Sequence, residues 1–169
     1  MKTELLTLDE AGVSLAQIRV RQVKKSEWDL MLDLVRALLL ELGEEANSLS
    51  AFHPERLKFN LSRNRVRHFA FFALDERDEV LGLATAEEGF ALYANGFYGT
   101  IHEMYVLPEF RGYGVGRKLL HHLKTFGMLR DWSRLEVTAP TDGEKWTRTQ
   151  AFYAKNGFAF TGPKLKFEF

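Results

Sequence analysis

The sequence predicts a single α/β domain, a mixed and mostly antiparallel sheet flanked by helices in the order β-α-α-β-β-β-α-β-α-β. Three observations predict it. Apolar residues recur at three- and four-residue steps in some segments and alternate with polar ones in others, so helical and strand periods are both present. A glycine-rich run, Arg111-Gly112-Tyr113-Gly114-Val115-Gly116, separates a strand pattern from a helix pattern. The 169 residues, 46% apolar and 27% charged, suit one globular core.

Each element has its own signal. Residues 1–17 are weakly patterned and read as an N-terminal extension. Ile18-Arg19-Val20-Arg21-Gln22-Val23 alternates, which predicts a strand. Ser26, three residues before Asp29, has the chemistry of a helix N-cap. Beyond it Leu30, Met31, Leu34, Val35, Leu38, Leu39 and Leu42 form a continuous apolar face, and Gly43 stops the helix. Pro54 opens a second helix through about Asn64, since its missing N–H is no loss in a first turn. Phe69–Leu74 and Val80–Ala84 flank the charged turn Asp75–Glu79 and read as an antiparallel hairpin.

Residues 88–98, rich in glycine and aromatics, read as a loop. A fourth strand covers about Thr100–Leu107 and ends at Pro108. The helix after the glycines runs through about Met128, with Val115, Leu119, Leu123 and Phe126 on one face. Leu135 and Val137 mark a fifth strand ending near Pro140. Thr141 and Glu144 form a second capping box, opening a helix that closes at Asn156-Gly157. In the tail Leu165, Phe167 and Phe169 alternate with Lys164, Lys166 and Glu168, the pattern of a last strand.

Composition excludes several functions. Twenty-three basic residues balance 23 acidic ones, which argues against nucleic acid or an anionic membrane as partner. With no cysteine, thiol nucleophiles, thiolate metal sites and disulfides are all excluded. His121-His122 is a poor metal site, because adjacent helical residues point about 100 degrees apart. The N-terminus lacks a signal-peptide core and no apolar run reaches the roughly 18–20 residues that span a membrane, so the expected location is cytoplasmic.

The glycine run carries the sharpest chemistry. Gly112, Gly114 and Gly116 remove side chains where the chain turns into a helix, so backbone N–H groups can converge at the positive end of the helix dipole. That arrangement binds a phosphate or pyrophosphate, and Arg111, Arg117 and Lys118 add charge. Two common ligand motifs fail on spacing. A dinucleotide fingerprint needs glycine where Arg117 stands, and a P-loop needs a Gly-Lys-Ser/Thr triplet that is missing.

At these residues the chain resembles the GCN5-related N-acetyltransferases (GNAT). Arg111, Gly114 and Gly116 match the fixed positions of that family's Gln/Arg-x-x-Gly-x-Gly/Ala motif. His102-Glu103-Met104-Tyr105-Val106-Leu107-Pro108 resembles its fourth strand, and Ala151-Phe152-Tyr153-Ala154-Lys155-Asn156-Gly157-Phe158 its late helix. The resemblance covers roughly residues 18–169. It implies the acyl-CoA N-acyltransferase fold and acetyl-CoA as cosubstrate, with no metal required. Backbone groups of Met104, Tyr105 and Val106 would pair with the pantetheine arm. Those of Arg111, Gly112, Tyr113, Gly114, Val115, Gly116 and Arg117 would hold the pyrophosphate. Tyr153 matches the tyrosine that protonates the departing thiolate.

Glu103 is the candidate general base and His102 its rival; catalysis by positioning alone is the third option. Strict alternation would put Glu103 and Tyr105 on one face of the strand, and His102, Met104 and Val106 on the other. One departure from the family is plain. Trp146 stands where many members carry asparagine, so that cofactor contact does not carry over.

Three surface features complete the reading. The basic run Arg63–His68 is a solvated loop or a contact for the cofactor's 3′-phosphate or an acidic partner. Phe90, Leu92, Tyr93, Phe97 and Tyr98 are lid packing or substrate contacts. Glu87 and Glu88 are a solvated pair or an attractor of a cationic amine. The expected activity is acetyl transfer to a primary amine, a small cationic one by preference, through direct attack in a ternary complex. A protein N-terminus or lysine is the alternative acceptor, and a non-catalytic acyl-CoA-binding module the alternative class. The alternating C-terminal strand suggests a homodimer.

Overall fold

A computed structural model describes residues 17–43, 52–63, 67–138 and 144–162, with backbone alone for 144–146. Its contacts divide the chain into two compact units, one running to Glu136 and the other starting at Val137. The first is built on a sheet of order β1-β2-β3-β4-β5. Strands β1 (Arg19–Gln22), β2 (His68–Leu74), β3 (Val80–Ala91) and β4 (Gly96–Val106) pair antiparallel in succession. Strand β5 (Leu135–Val137) completes the sheet. Ser133 N–H donates to Phe97 O (2.9 Å) and Gly99 N–H to Arg134 O (3.0 Å). These bonds advance in the same direction along both segments, the parallel sense, so the sheet is mixed.

Strand β2 reads His-Phe-Ala-Phe-Phe-Ala-Leu, nearly unbroken apolar sequence, because both of its faces are covered. On one face Ala70, Phe72 and Leu74, with Leu83 and Tyr105, pack against Met31, Leu32 and Leu34 of helix α1 (Trp28–Glu41). On the other, Phe69 and Phe71 meet Phe126 of helix α3 (Val115–Leu129), with ring centroids 4.8 and 5.0 Å apart. Helix α2 (Pro54–Ser62) starts on its proline, as expected, and α1 gives way to Gly43 at φ +70°. The cap of α1 differs from expectation. Ser26 lies inside a 3₁₀ turn, Lys25–Glu27, and it is the Glu27 carboxylate that accepts the Lys24 N–H (2.8 Å) while clasping Arg21.

Residues 88–98 are not a loop. Strands β3 and β4 continue through them to a tight turn at 92–95, and Phe90 stacks edge-on against Phe97 at 5.3 Å. Gly99, just beyond them in β4, marks no turn. A Cβ on Gly99 would lie 2.2 Å from the Trp132 ring, so the missing side chain makes room for an indole.

Glu88 is also corrected. Instead of facing solvent, it is 6% exposed and accepts from Arg130 (2.6 and 3.1 Å), from Trp132 Nε1 (2.7 Å) and from Arg67. Arg130 foremost, with Trp132 and Arg67 adding, outweighs burial and holds the carboxyl down at about 2. Its folded-state value lies below the ordinary 4.5, so its stabilisation is present above that pH and lost as pH falls toward 2. Glu88→Gln should therefore destabilise the protein by about 3 kcal/mol at pH 7, since two arginines lose their counter-charge. Chemical denaturation of both proteins should show the gap closing between pH 4.5 and 2.

The second unit contains helix α4 (Glu144–Lys155), which ends at Gly157 with φ +85°. Phe158 N–H closes back on Tyr153 O at 3.1 Å, and Asn156 Nδ2 on Phe152 O at 2.7 Å. The expected capping box at Thr141 and Glu144 and the alternating tail from Lys164 lie outside the described residues. So do residues 1–16 of the N-terminal extension. Among the described residues, no helix is long and apolar enough to cross a membrane.

Candidate active site

Strand β4 delivers the chain into a 3₁₀ turn, Pro108–Phe110, from which the glycine run leads directly into α3. Gly112 has φ +86° and Gly114 has φ +79°, ψ 8°. A Cβ on Gly112 would meet nothing within 4 Å, so glycine is needed there for backbone conformation and not for space. Gly114 is the N-cap of α3, and Lys118 N–H makes the first helical bond, to Gly114 O at 3.0 Å. The N–H groups of Val115, Gly116 and Arg117 thus have no acceptor within the helix. They sit at its positive end, the geometry that receives an anion.

Arg111 does not add its charge to that site. Its Nε donates to Val106 O (2.9 Å), and its two terminal nitrogens grip Glu41 Oε1 and Oε2 at 2.8 and 2.6 Å. The guanidinium lies over the Tyr105 ring at 5.6 Å, and the bonds to Glu41 raise its pKa further. Even its N–H is directed at Pro108 O, 3.3 Å away. This first motif residue joins the end of α1 to the end of β4, so its side chain is committed to Glu41 and Val106.

Met104, Tyr105 and Val106 pair on one side with Ala84, Leu83 and Gly82 of β3. The bonds to Ser133 and Arg134 lie at Phe97 and Gly99, nearer the start of β4. Between the pairs Ala84↔Met104 and Ala86↔Ile101 the register shifts, so Thr85 alone stands opposite both His102 and Glu103. That is a bulge in β4, and it breaks the expected alternation. Glu103 N–H donates to Thr85 Oγ1 at 3.1 Å, and the Thr85 hydroxyl donates to the Glu103 carboxylate. His102 Nε2 lies 3.1 Å from Glu87 Oε2. Thr85 and Glu87 share one face of β3 with Leu83, so both rival bases lie on the α1 side of the sheet.

The half-buried His68 faces the same side, opposite Glu87 in register. Burial holds its pKa below the ordinary value, which Glu103 and Glu87 oppose and His102 reinforces. A cavity of about 140 Å³ adjoins this ring, walled by Trp28, Met31 and Leu61 with Gln22 and Lys25. His122, the second of the adjacent pair in α3, packs against Phe71 at 4.7 Å, and burial lowers its pKa too. Among the described residues no group of three or more acidic or histidine side chains is arranged to hold a metal.

In the second unit Tyr153 is buried, with Phe152 and Phe158 at ring distances of 5.2 and 5.3 Å. Burial pushes its phenol up to about 12, so it keeps its proton through the neutral range. Trp146 falls in α4, but its side chain lies outside the described residues. Sequence reasoning missed Thr85 and Glu41. A hydroxyl set between Ala84 and Ala86 in an apolar strand was a usable signal for the first. Glu41 offered none, being one acid among many and 70 positions from its partner.

The family model for the Acetyltransferase (GNAT) domain matches residues 67–159. An uncharacterised N-acetyltransferase of Archaeoglobus fulgidus is 32% identical over 77 residues, 45% of this chain and 50% of that protein. One from Mycobacterium tuberculosis is 32% identical over 112 residues, 62% of this chain and 66% of that protein. The chain therefore spans between half and two thirds of the curated relatives it matches. Solved structures share the fold. A probable acetyltransferase is 23% identical with a TM-score of 0.71, over 89% of this chain and 98% of that one. A predicted acetyltransferase from Clostridium acetobutylicum, solved with acetyl-CoA, is 18% identical with a TM-score of 0.69, over 89% and 96%. An aminoglycoside acetyltransferase from an uncultured soil metagenomic sample is 16% identical with a TM-score of 0.70, over 92% and 97%.

Proposed function

This chain belongs to the GNAT acetyltransferase family, and on that premise we propose that it transfers the acetyl group of acetyl-CoA to a primary amine within a ternary complex. The observation that carries the reading is the pair of left-handed glycines, Gly112 and Gly114, which bring backbone N–H groups together at the start of α3. Those amides hold the pyrophosphate, and the backbone of Met104, Tyr105 and Val106 pairs with the pantetheine arm. Glu103 accepts the proton of the attacking amine as the new C–N bond forms. Tyr153 donates its proton to the sulfur as the C–S bond breaks. The protonated phenol of Tyr153, stable to about pH 12, supports that last role.

The acceptor in this reading is a small cationic amine. Glu87 and Glu103 support it, two carboxylates on one sheet face, whereas Glu88 is already neutralised by Arg130 and Arg67. Release of free CoA thiol from acetyl-CoA tests it against polyamines, amino acids, aminoglycosides, and peptides with a free N-terminus or lysine. A small polycation should exceed every peptide in kcat/KM by at least about tenfold, one lost ion pair being worth that much. Faster peptides would reassign the acceptor. Acetyl-CoA binding with no thiol release from any amine would make the protein a binding module.

A further inference from the structure

We infer that Thr85 is a positioning residue for acetyl transfer, holding Glu103 in place as the base. This rests on the role given to Glu103 above. Three features of the geometry carry it. First, the β4 bulge sets two residues against one, which takes the Glu103 N–H out of the regular ladder. Thr85 Oγ1 accepts that N–H at 3.1 Å. Second, a threonine hydroxyl carries one proton, and here it goes to the Glu103 carboxylate. One small side chain therefore fixes both the backbone and the carboxylate of the same residue.

Third, Thr85 is 1% exposed and stands in the run Leu83-Ala84-Thr85-Ala86, otherwise wholly apolar and buried. A valine would suit such a strand better, because a buried hydroxyl is costly unless fully bonded. Both of the hydroxyl's bonds go to Glu103. Thr85 is too deeply buried to meet substrate, so it acts through Glu103. The other ionisable neighbours on that face, His68, Glu87 and His102, are not bonded to Glu103. Thr85 is thus the side chain that sets where the carboxylate points.

The test uses Thr85→Val, Thr85→Ser and Glu103→Gln in the full chain, with the best amine from the acceptor screen. Thr85→Val should lower kcat by about 10–100-fold with the KM for acetyl-CoA nearly unchanged, the cost of a misplaced base. Its Glu103 amide proton should move upfield and exchange faster, reporting the lost bond. Thr85→Ser keeps the hydroxyl and should restore both the amide signal and most of the turnover. An unmoved amide in Thr85→Val, undiminished turnover, or a serine variant as impaired as the valine one would each overturn the inference. Full turnover in Glu103→Gln would remove the base reading and this inference with it. An impaired Glu103→Gln beside a normal Thr85→Val would remove the inference alone.

Discussion

Tyr153→Phe should lower kcat by about 10²–10³-fold while leaving acetyl-CoA affinity within about a factor of two. The substitution removes one oxygen from a buried ring and keeps the edge-on contacts with Phe152 and Phe158, so the helix should hold. What it removes is the proton donor proposed above. The leaving thiolate of a thioester is poorly stabilised in a dry site, and a phenol pushed up to about 12 by burial is fully protonated when it is needed. Loss confined to kcat is the signature of an interaction made in the transition state. A rise in the acetyl-CoA dissociation constant with kcat unchanged would instead make Tyr153 a wall of the donor site.

Gly114→Val should weaken acetyl-CoA binding by about 100-fold in calorimetry, the equivalent of two lost charge-assisted hydrogen bonds. Gly114 sits at φ +79°, where a β-branched residue is strained. Relaxing that strain turns the N–H groups of Val115 and Gly116 away from their common point. Gly114→Asn provides the control, because asparagine tolerates left-handed backbone and should lose much less. Equal losses in both variants would show that space, not conformation, is what Gly114 supplies.

The sequence made some parts of this site legible and concealed others for physical reasons. Local chemistry was legible. The glycines, the proline starting α2, the apolar face of α3 and the Asn156-Gly157 stop each depend on neighbours a few residues away. Along α1, Met31 and Leu34 are buried as read, whereas Leu30 is exposed and Leu32 is buried in its place. Features set by distant partners were not legible. Glu88 reads as a surface acid until Arg67 and Arg130 arrive from 21 and 42 positions away. Residues 88–98 read as a loop until the register of β3 on β4 is seen. The bulge at His102-Glu103 is a single extra residue, visible only against the register of β3, and it reverses the face assigned to His102. Arg111 matched its motif, yet Glu41 takes the charge that the motif suggested for phosphate.

The claim on which the rest depends is that the amides following Gly112 hold the donor. The most direct test is titration of ¹⁵N-labelled protein with acetyl-CoA, followed through the backbone amide resonances. The amides of Gly112 through Arg117 and of Met104 through Val106 should shift most. Changes of that size elsewhere, with the glycine run unmoved, would contradict the account.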